Sequence, residues 1–301
     1  MAIKGPALCW TSEWTTLQLA AAVLAAVCAM ANGASACDLP EGPIRTVVSV
    51  IDGDTLLLDD LTKLRLVGAL APAPPSPGTT TADWPPAAEA KSALERLVAG
   101  KSVQLGYSGR KLDRYGVQLA QAFVLEDGSS YWLQGRMVEE GLARAYSFAD
   151  NHGCAAELVA LEGGARALGR GIWANAAYAV RDADKTRELM RYLGSYQVVE
   201  GVVADVGASK GNVYLNFGAD WHTDFTASLE PRVRQKFEKA QIDLDGLKGK
   251  RIRVRGWVES ANGPAIRVTL PEQIELVATD GSARVLGMLA DGADANDPPA
   301  P

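Results

Sequence analysis

Residues 47–69 read VVSVIDGDTLLLDDLTKLRLVGA, and this stretch decides the fold. Val47 to Asp59 and Lys63 to Val67 are β-rich runs separated by a polar turn, which is the pattern of a hairpin. Downstream, a Pro/Thr/Gly-rich loop runs from Ala71 to about Pro86. From Ala87 to Val98 the spacing turns helical, with Ala90, Leu94, Leu97 and Val98 on one face and Gly100 as the stop. Ser102 to Tyr107 and Gln118 to Leu125 read as strands. Tyr131 to Glu140 and Ala155 to Leu168 read as helices, the second ending at Gly169-Arg170-Gly171.

Beyond a polar connector, read as a helical linker over 176–195, a second β-rich unit is expected over 196–277. Its strands fall at Gln197–Val206, Val213–Phe217, Asp224–Ala227, Arg251–Glu259 and Ala265–Thr269. A helix at Leu229–Ala240 lies between the third and fourth of them. Five strands with a helix at that point suit an OB-type barrel. Residues 278–301, rich in Ala, Asp and Pro with little to bury, read as a disordered tail.

At the other end, Lys4 precedes an apolar run from Leu19 to Met30 that stops near Ala34-Ser35-Ala36. Twelve apolar residues are few for a membrane span, and the small-x-small triplet suits a signal peptidase. Residues 1–36 are therefore expected to be a signal peptide, with a periplasmic or secreted product and no membrane span after cleavage. Two cysteines, Cys37 and Cys154, remain in the mature chain. In an oxidising compartment they favour a disulfide, with a lipid anchor on Cys37 as the alternative. The net charge of −6 and pI of about 5.1 exclude a globally basic nucleic-acid binder, so any such contact must be local.

Within 47–173 four motifs occur in order: Ile51-Asp52-Gly53-Asp54-Thr55; Arg65-Leu66-Val67-Gly68-Ala69-Leu70-Ala71-Pro72-Ala73; Asp113-Arg114-Tyr115-Gly116-Val117-Gln118-Leu119-Ala120; and Glu140-Gly141-Leu142-Ala143-Arg144, followed by Gly171-Ile172-Trp173. This ordered set resembles the staphylococcal-nuclease (thermonuclease) family, and the resemblance implies a mainly β fold with packed helices, a staphylococcal-nuclease-like OB-type barrel over 37–175. It also implies where the chemistry would sit. In the family a calcium ion is held by the second Asp of the first motif and by an Asp in the second, a Glu helps activate water, and two Arg neutralise the phosphoryl group. Here Asp54 keeps one metal carboxylate and Arg65 one arginine. Leu70 stands at the second carboxylate, Ala73 at the Glu and Val117 at the second Arg.

Calcium wants six to eight oxygen ligands, and Asp54 alone would hold it weakly. No cofactor is expected beyond calcium at such a vestigial site. The resemblance also places Tyr115 against a nucleotide, with Arg114 beside it. The residues leave a plainer reading open, in which Asp54 caps a turn and pairs with Arg65 across the hairpin. Asp83, Glu89 and Arg110 are candidates for recruitment into an altered site.

In the second unit, period two places Arg251, Arg253, Arg255 and Trp257 on one strand face near Tyr214, Phe217, Trp221 and Phe225. Basic groups beside rings suit single-stranded nucleic acid, although 196–277 holds eleven acidic and eleven basic residues and is neutral. The expectation is an exported thermonuclease-like protein with a degraded catalytic site, binding nucleic acid or an envelope protein. An active calcium-dependent nuclease using recruited acids and a structural envelope adaptor are the alternatives.

Overall fold

Strands β1 (Glu41–Asp52) and β2 (Thr55–Leu58) pair antiparallel about a turn at Gly53-Asp54. The turn requires glycine, because a Cβ on Gly53 would lie 2.7 Å from the Ala71 side chain and 3.0 Å from that of Ala90. The computed structural model that provides these coordinates describes Met1, residues 37–73 and residues 85–288. The expected leader over 2–36, most of the Pro/Thr/Gly-rich loop with Asp83, and residues 289–301 lie outside the described residues.

β3 (Lys63–Leu66) continues the meander beside β2. After the short β4 (Ala69–Leu70) and helix α1 (Pro85–Val98), β5 (Ser102–Gly106) returns to pair with the first half of β1. β6 (Gln118–Glu126) pairs antiparallel with β5 and parallel with β3, which closes the barrel, and β7 (Ser129–Trp132) extends it. The cycle β1-β2-β3-β6-β5, with a helix between the third and fourth strands in chain order, is an OB-type barrel. Alternation puts Leu56, Leu58, Leu64, Leu66, Val103 and Leu105 inside, where the Ala90/Leu94/Val98 face of α1 covers them. Helices α2 (Leu133–Glu139) and α3 (Ala155–Ala167) pack on each other, and β8 (Arg144–Ala145) pairs with β4.

The expected helix over 131–140 is part strand: Tyr131 and Trp132 belong to β7, and only 133–139 is helical. The expected helical linker is likewise mixed. β9 (Arg181–Asp182) joins the second sheet, followed by a single-turn helix, α4 (Thr186–Leu189).

The second barrel repeats the topology of the first. β10 (Tyr196–Val202) and β11 (Asp205–Ser209) follow each other closely in sequence, and β12 (Asn212–Asn216) and β13 (Thr226–Leu229) continue the meander. Helix α5 (Pro231–Lys239) precedes β14 (Arg251–Ser260) and β15 (Pro264–Val268). The order β11-β12-β13-β15-β14-β10, with β13 and β15 parallel, is again OB-type. β16 (Ile274–Val277) adds to β14, and β17 (Ala283–Val285) adds to β16. The expected disorder over 278–301 is corrected for 278–288 only, the remainder lying outside the described residues. Val285 packs into the first core and Leu286 into the second, an apolar pair that anchors an otherwise polar segment.

Residues from Cys37 onward group as one unit, and a buried ring of charge joins the barrels. Arg255 on β14 donates from Nη1 to Glu162 Oε1 of α3 and from Nη2 to Glu275 Oε2 of β16, both at 2.9 Å. Arg166 of α3 donates to the same two carboxylates, each at 2.7 Å. Glu162 Oε2 also accepts the Ala145 backbone N–H at 2.6 Å. Burial alone would depress the Arg255 pKa, but Glu162 and Glu275 more than offset it; burial likewise opposes ionisation of Glu275, and Arg255 and Arg166 hold it charged. Nearby, Arg144 lies over the rings of Tyr178 and Tyr196, and the Tyr196 hydroxyl donates to Ala145 O at 3.0 Å.

Removing one member of such a ring strands the others without counter-charge. Arg255→Leu is expected to lower stability by roughly 3–5 kcal/mol, read as a lower urea midpoint. Arg251→Leu, removing the exposed end of the same strand face, is expected to cost no more than about 1 kcal/mol.

Candidate functional site

Asp54 closes the β1–β2 turn and is only 6% exposed. Its carboxylate is engaged from three sides. Oδ1 accepts the Thr55 hydroxyl at 3.1 Å and has Arg65 Nη1 at 3.8 Å, while Oδ2 accepts the Ala71 backbone N–H at 3.1 Å. Its own N–H donates to Asp52 Oδ1 at 3.0 Å, and its carbonyl accepts from Leu66 N–H at 2.9 Å. Asp54 thus ties the first turn to the strand end at Leu66 and to the segment at Ala71. Burial, then the neighbouring Asp52, push its pKa up to about 6 against the smaller opposing pull of Arg65, Ala71 and Thr55. Burial and the nearby Asp52 thus oppose ionisation of this carboxylate in the metal-free protein.

The other positions do not supply what is missing. Leu70 is half-buried in β4, its backbone paired with Arg144. Ala73 is exposed and Val117 half-buried, so apolar atoms stand where a second carboxylate, a base and a second arginine would be needed. Glu89 is exposed on α1, Arg110 pairs with Asp150 at 2.5 Å, and Asp83 lies outside the described residues. Among the described residues no three His, Cys, Asp or Glu side chains gather to hold a metal. One engaged carboxylate with Asp52 beside it falls well short of a calcium donor set, so these residues do not fit the ion.

Arg65 is half-exposed and reaches the surface beside the 107–117 loop, since β3 pairs with the start of β6. In that loop Asp113 accepts from the Tyr115 and Val117 N–H groups, which fixes the turn that presents Arg114 and Tyr115. Tyr115 is 75% exposed with the Arg114 guanidinium 4.7 Å from its ring centre, and Lys111 lies over the Tyr107 ring at the same distance. Arg65 lies opposite Leu119 of β6, the strand into which the turn carrying Arg114 and Tyr115 leads. Cys37 and Cys154 are joined by a disulfide.

The expected ligand face of the second barrel is corrected. Arg251, Arg253, Arg255 and Trp257 do share a face of β14, but the arginines are consumed by carboxylates. Arg251 and Arg253 both pair with Glu200, Arg253 at 2.6 Å, and Arg255 is wholly buried in the charge ring. Of the four only Trp257, 46% exposed, and Arg251 remain open, too little for a nucleic-acid platform. Phe217 and Phe225 are core. Sequence reasoning missed Glu162, Arg166 and Glu275; Glu162 on the apolar Ala155/Leu158/Ala165 face of α3 was the available signal.

Because folding raises the Asp54 pKa, its favourable contribution is full below the unfolded value of 3.8 and is lost as pH rises through about 6. Asp54→Asn keeps an acceptor for Ala71 and removes the buried charge. It is expected to stabilise the protein at pH 8 by roughly 2–3 kcal/mol, the gain vanishing near pH 4, as thermal melts across pH would register.

Among known proteins, residues 63–175 match the family described as Staphylococcal nuclease homologue. The chain is also 30% identical over 132 residues to the thermonuclease of Staphylococcus hyicus, covering 43% of this chain and 75% of that protein. The family match ends before β9, so the second barrel stands outside it. With the ordered motifs on a closed OB-type barrel and both comparisons agreeing, the chain belongs to the staphylococcal nuclease family.

Proposed function

We propose that the chain is an exported, non-hydrolytic member of its family that holds nucleic acid, single strands above all, without cutting it. The make-up of the site carries this reading: Asp54, with both carboxylate oxygens already hydrogen-bonded, is accompanied by Leu70, Ala73 and Val117. Hydrolysis needs an activated water and stabilised phosphoryl charge, and each positioned group is worth roughly a factor of 100 to 10,000. With Leu70, Ala73 and Val117 at the other three positions, no convergent set among the described residues supplies them.

Binding asks for less. Arg65, Lys111 and Arg114 provide local positive charge on a chain that is acidic overall, and Tyr115 provides a ring for a base. Phosphates would meet the cations and a base would stack on Tyr115, giving modest, salt-sensitive affinity. Calcium plays no part in this reading.

The apolar run before Ala36 supports export, and a disulfide suits an oxidising compartment. The same disulfide occupies the sulfur that a lipid anchor would use, which favours a periplasmic or secreted protein over a lipidated one. No helix among the described residues is long and apolar enough to cross a membrane.

The test is incubation of the purified protein with single- and double-stranded nucleic acid, in calcium or chelator, beside Arg65→Ala and Asp54→Ala. The expected result is no cleavage above the variants' background, with a single-strand gel shift weakened by Arg114→Ala and Tyr115→Ala. Calcium-dependent cleavage abolished by Arg65→Ala would overturn the reading.

A further inference from the structure

The second barrel carries a groove of about 620 Å³ on the face formed by β11, β12, β13 and β15, away from the arginines of β14. That size lies within the range of small-ligand sites. Outward-facing positions of the strands line its floor: Asn212, Tyr214 and Asn216 of β12, with Thr226 and Ser228 of β13. Trp221, from the β12–β13 loop, stands at its edge.

The chemistry of this lining is neutral and polar, with rings. The Asn212 amide donates to the Tyr214 hydroxyl at 3.2 Å, and the Thr226 hydroxyl to Asn216 Oδ1 at 3.3 Å, which orients the amides along the floor. Ser228 and Asn262 make no side-chain hydrogen bond among the described residues and are free for a ligand. Trp221 is 55% exposed, and its indole is backed by the His222 ring at 3.7 Å. Its loop is fixed by Asp220, which accepts from the His222 N–H and the Thr223 hydroxyl, and by Asp224, which accepts the Asp220 N–H at 2.7 Å. The platform is thus set before a ligand arrives, which reduces the entropy lost on binding.

Charge decides the ligand class. Arg267 is the cation of the lining, and its guanidinium lies 3.5 Å from Glu230 and 3.3 Å from Glu259. Two carboxylates around one arginine leave the groove neutral to acidic, which repels a phosphodiester chain. A neutral sugar fits instead: its hydroxyls exchange hydrogen bonds with amides and hydroxyls, and its apolar C–H face packs on an aromatic ring.

We infer that the second barrel binds a short neutral oligosaccharide in this groove, stacked on Trp221 and hydrogen-bonded by the Asn212, Asn216 and Ser228 row. The inference is independent of what the first barrel holds.

The test is titration of the purified protein with chitotetraose, cellotetraose and maltotetraose, followed by calorimetry and tryptophan fluorescence, with an oligothymidylate in parallel. At least one tetrasaccharide is expected to saturate with little salt dependence. Trp221→Ala should weaken it roughly tenfold, the loss expected for one truncated aromatic anchor, and Asn216→Ala should weaken it as well. Unchanged melting temperatures for both variants establish that the fold is intact. Failure of all three sugars to saturate overturns the inference, as does sugar binding insensitive to both substitutions. Oligothymidylate binding lost with Trp221→Ala and steeply weakened by salt assigns the groove to nucleic acid and overturns it equally.

Discussion

Four buried side chains, Arg255, Glu162, Arg166 and Glu275, set the terms for the rest of the molecule. They form a closed ring in which each arginine bridges both carboxylates, and they come from three elements: α3, β14 and β16. Charges taken out of water are costly, and such a ring tolerates that cost only when every member keeps its partners. It therefore works less as a source of stability than as a constraint on position. α3 belongs to the nuclease-like barrel, and β14 is the central strand of the second, so neither barrel can shift against the other without opening the ring. Val285 and Leu286, packed into adjacent cores, act in the same sense.

The constraint divides the surface. The β14 face that carries the conspicuous arginines is spent on internal pairing. Open side chains lie elsewhere: Arg65, Arg114 and Tyr115 on the first barrel, and the lining of the groove across β12 and β13. Asp54 follows a similar logic on a smaller scale. Its two carboxylate oxygens accept from Thr55 and Ala71, which ties the β1–β2 turn to the segment beyond β4.

The barrels were legible in the sequence because alternating strands, Gly53 and the helix after the meander are local signals. The pairing of Asp54 with Arg65 was legible for the same reason, as a contact across one hairpin. What was not legible depends on distant partners. Three arginines at period two are alike as a pattern; only the arrival of Glu162 from nearly a hundred residues upstream makes Arg255 a core residue. The boundary of order near 278 was misplaced because two apolar residues in a polar tail gain their meaning from cores built elsewhere. Tyr131 and Trp132 carry aromatic strand preference that a helical period over the following residues concealed.

The central proposal is that Asp54, hydrogen-bonded within its turn, holds no functional calcium. Its most direct test is a calorimetric titration of calcium into the protein and into Asp54→Asn at neutral pH. The account predicts no saturable binding that distinguishes the two proteins. Saturable calcium binding present in the unaltered protein and lost in Asp54→Asn would contradict it.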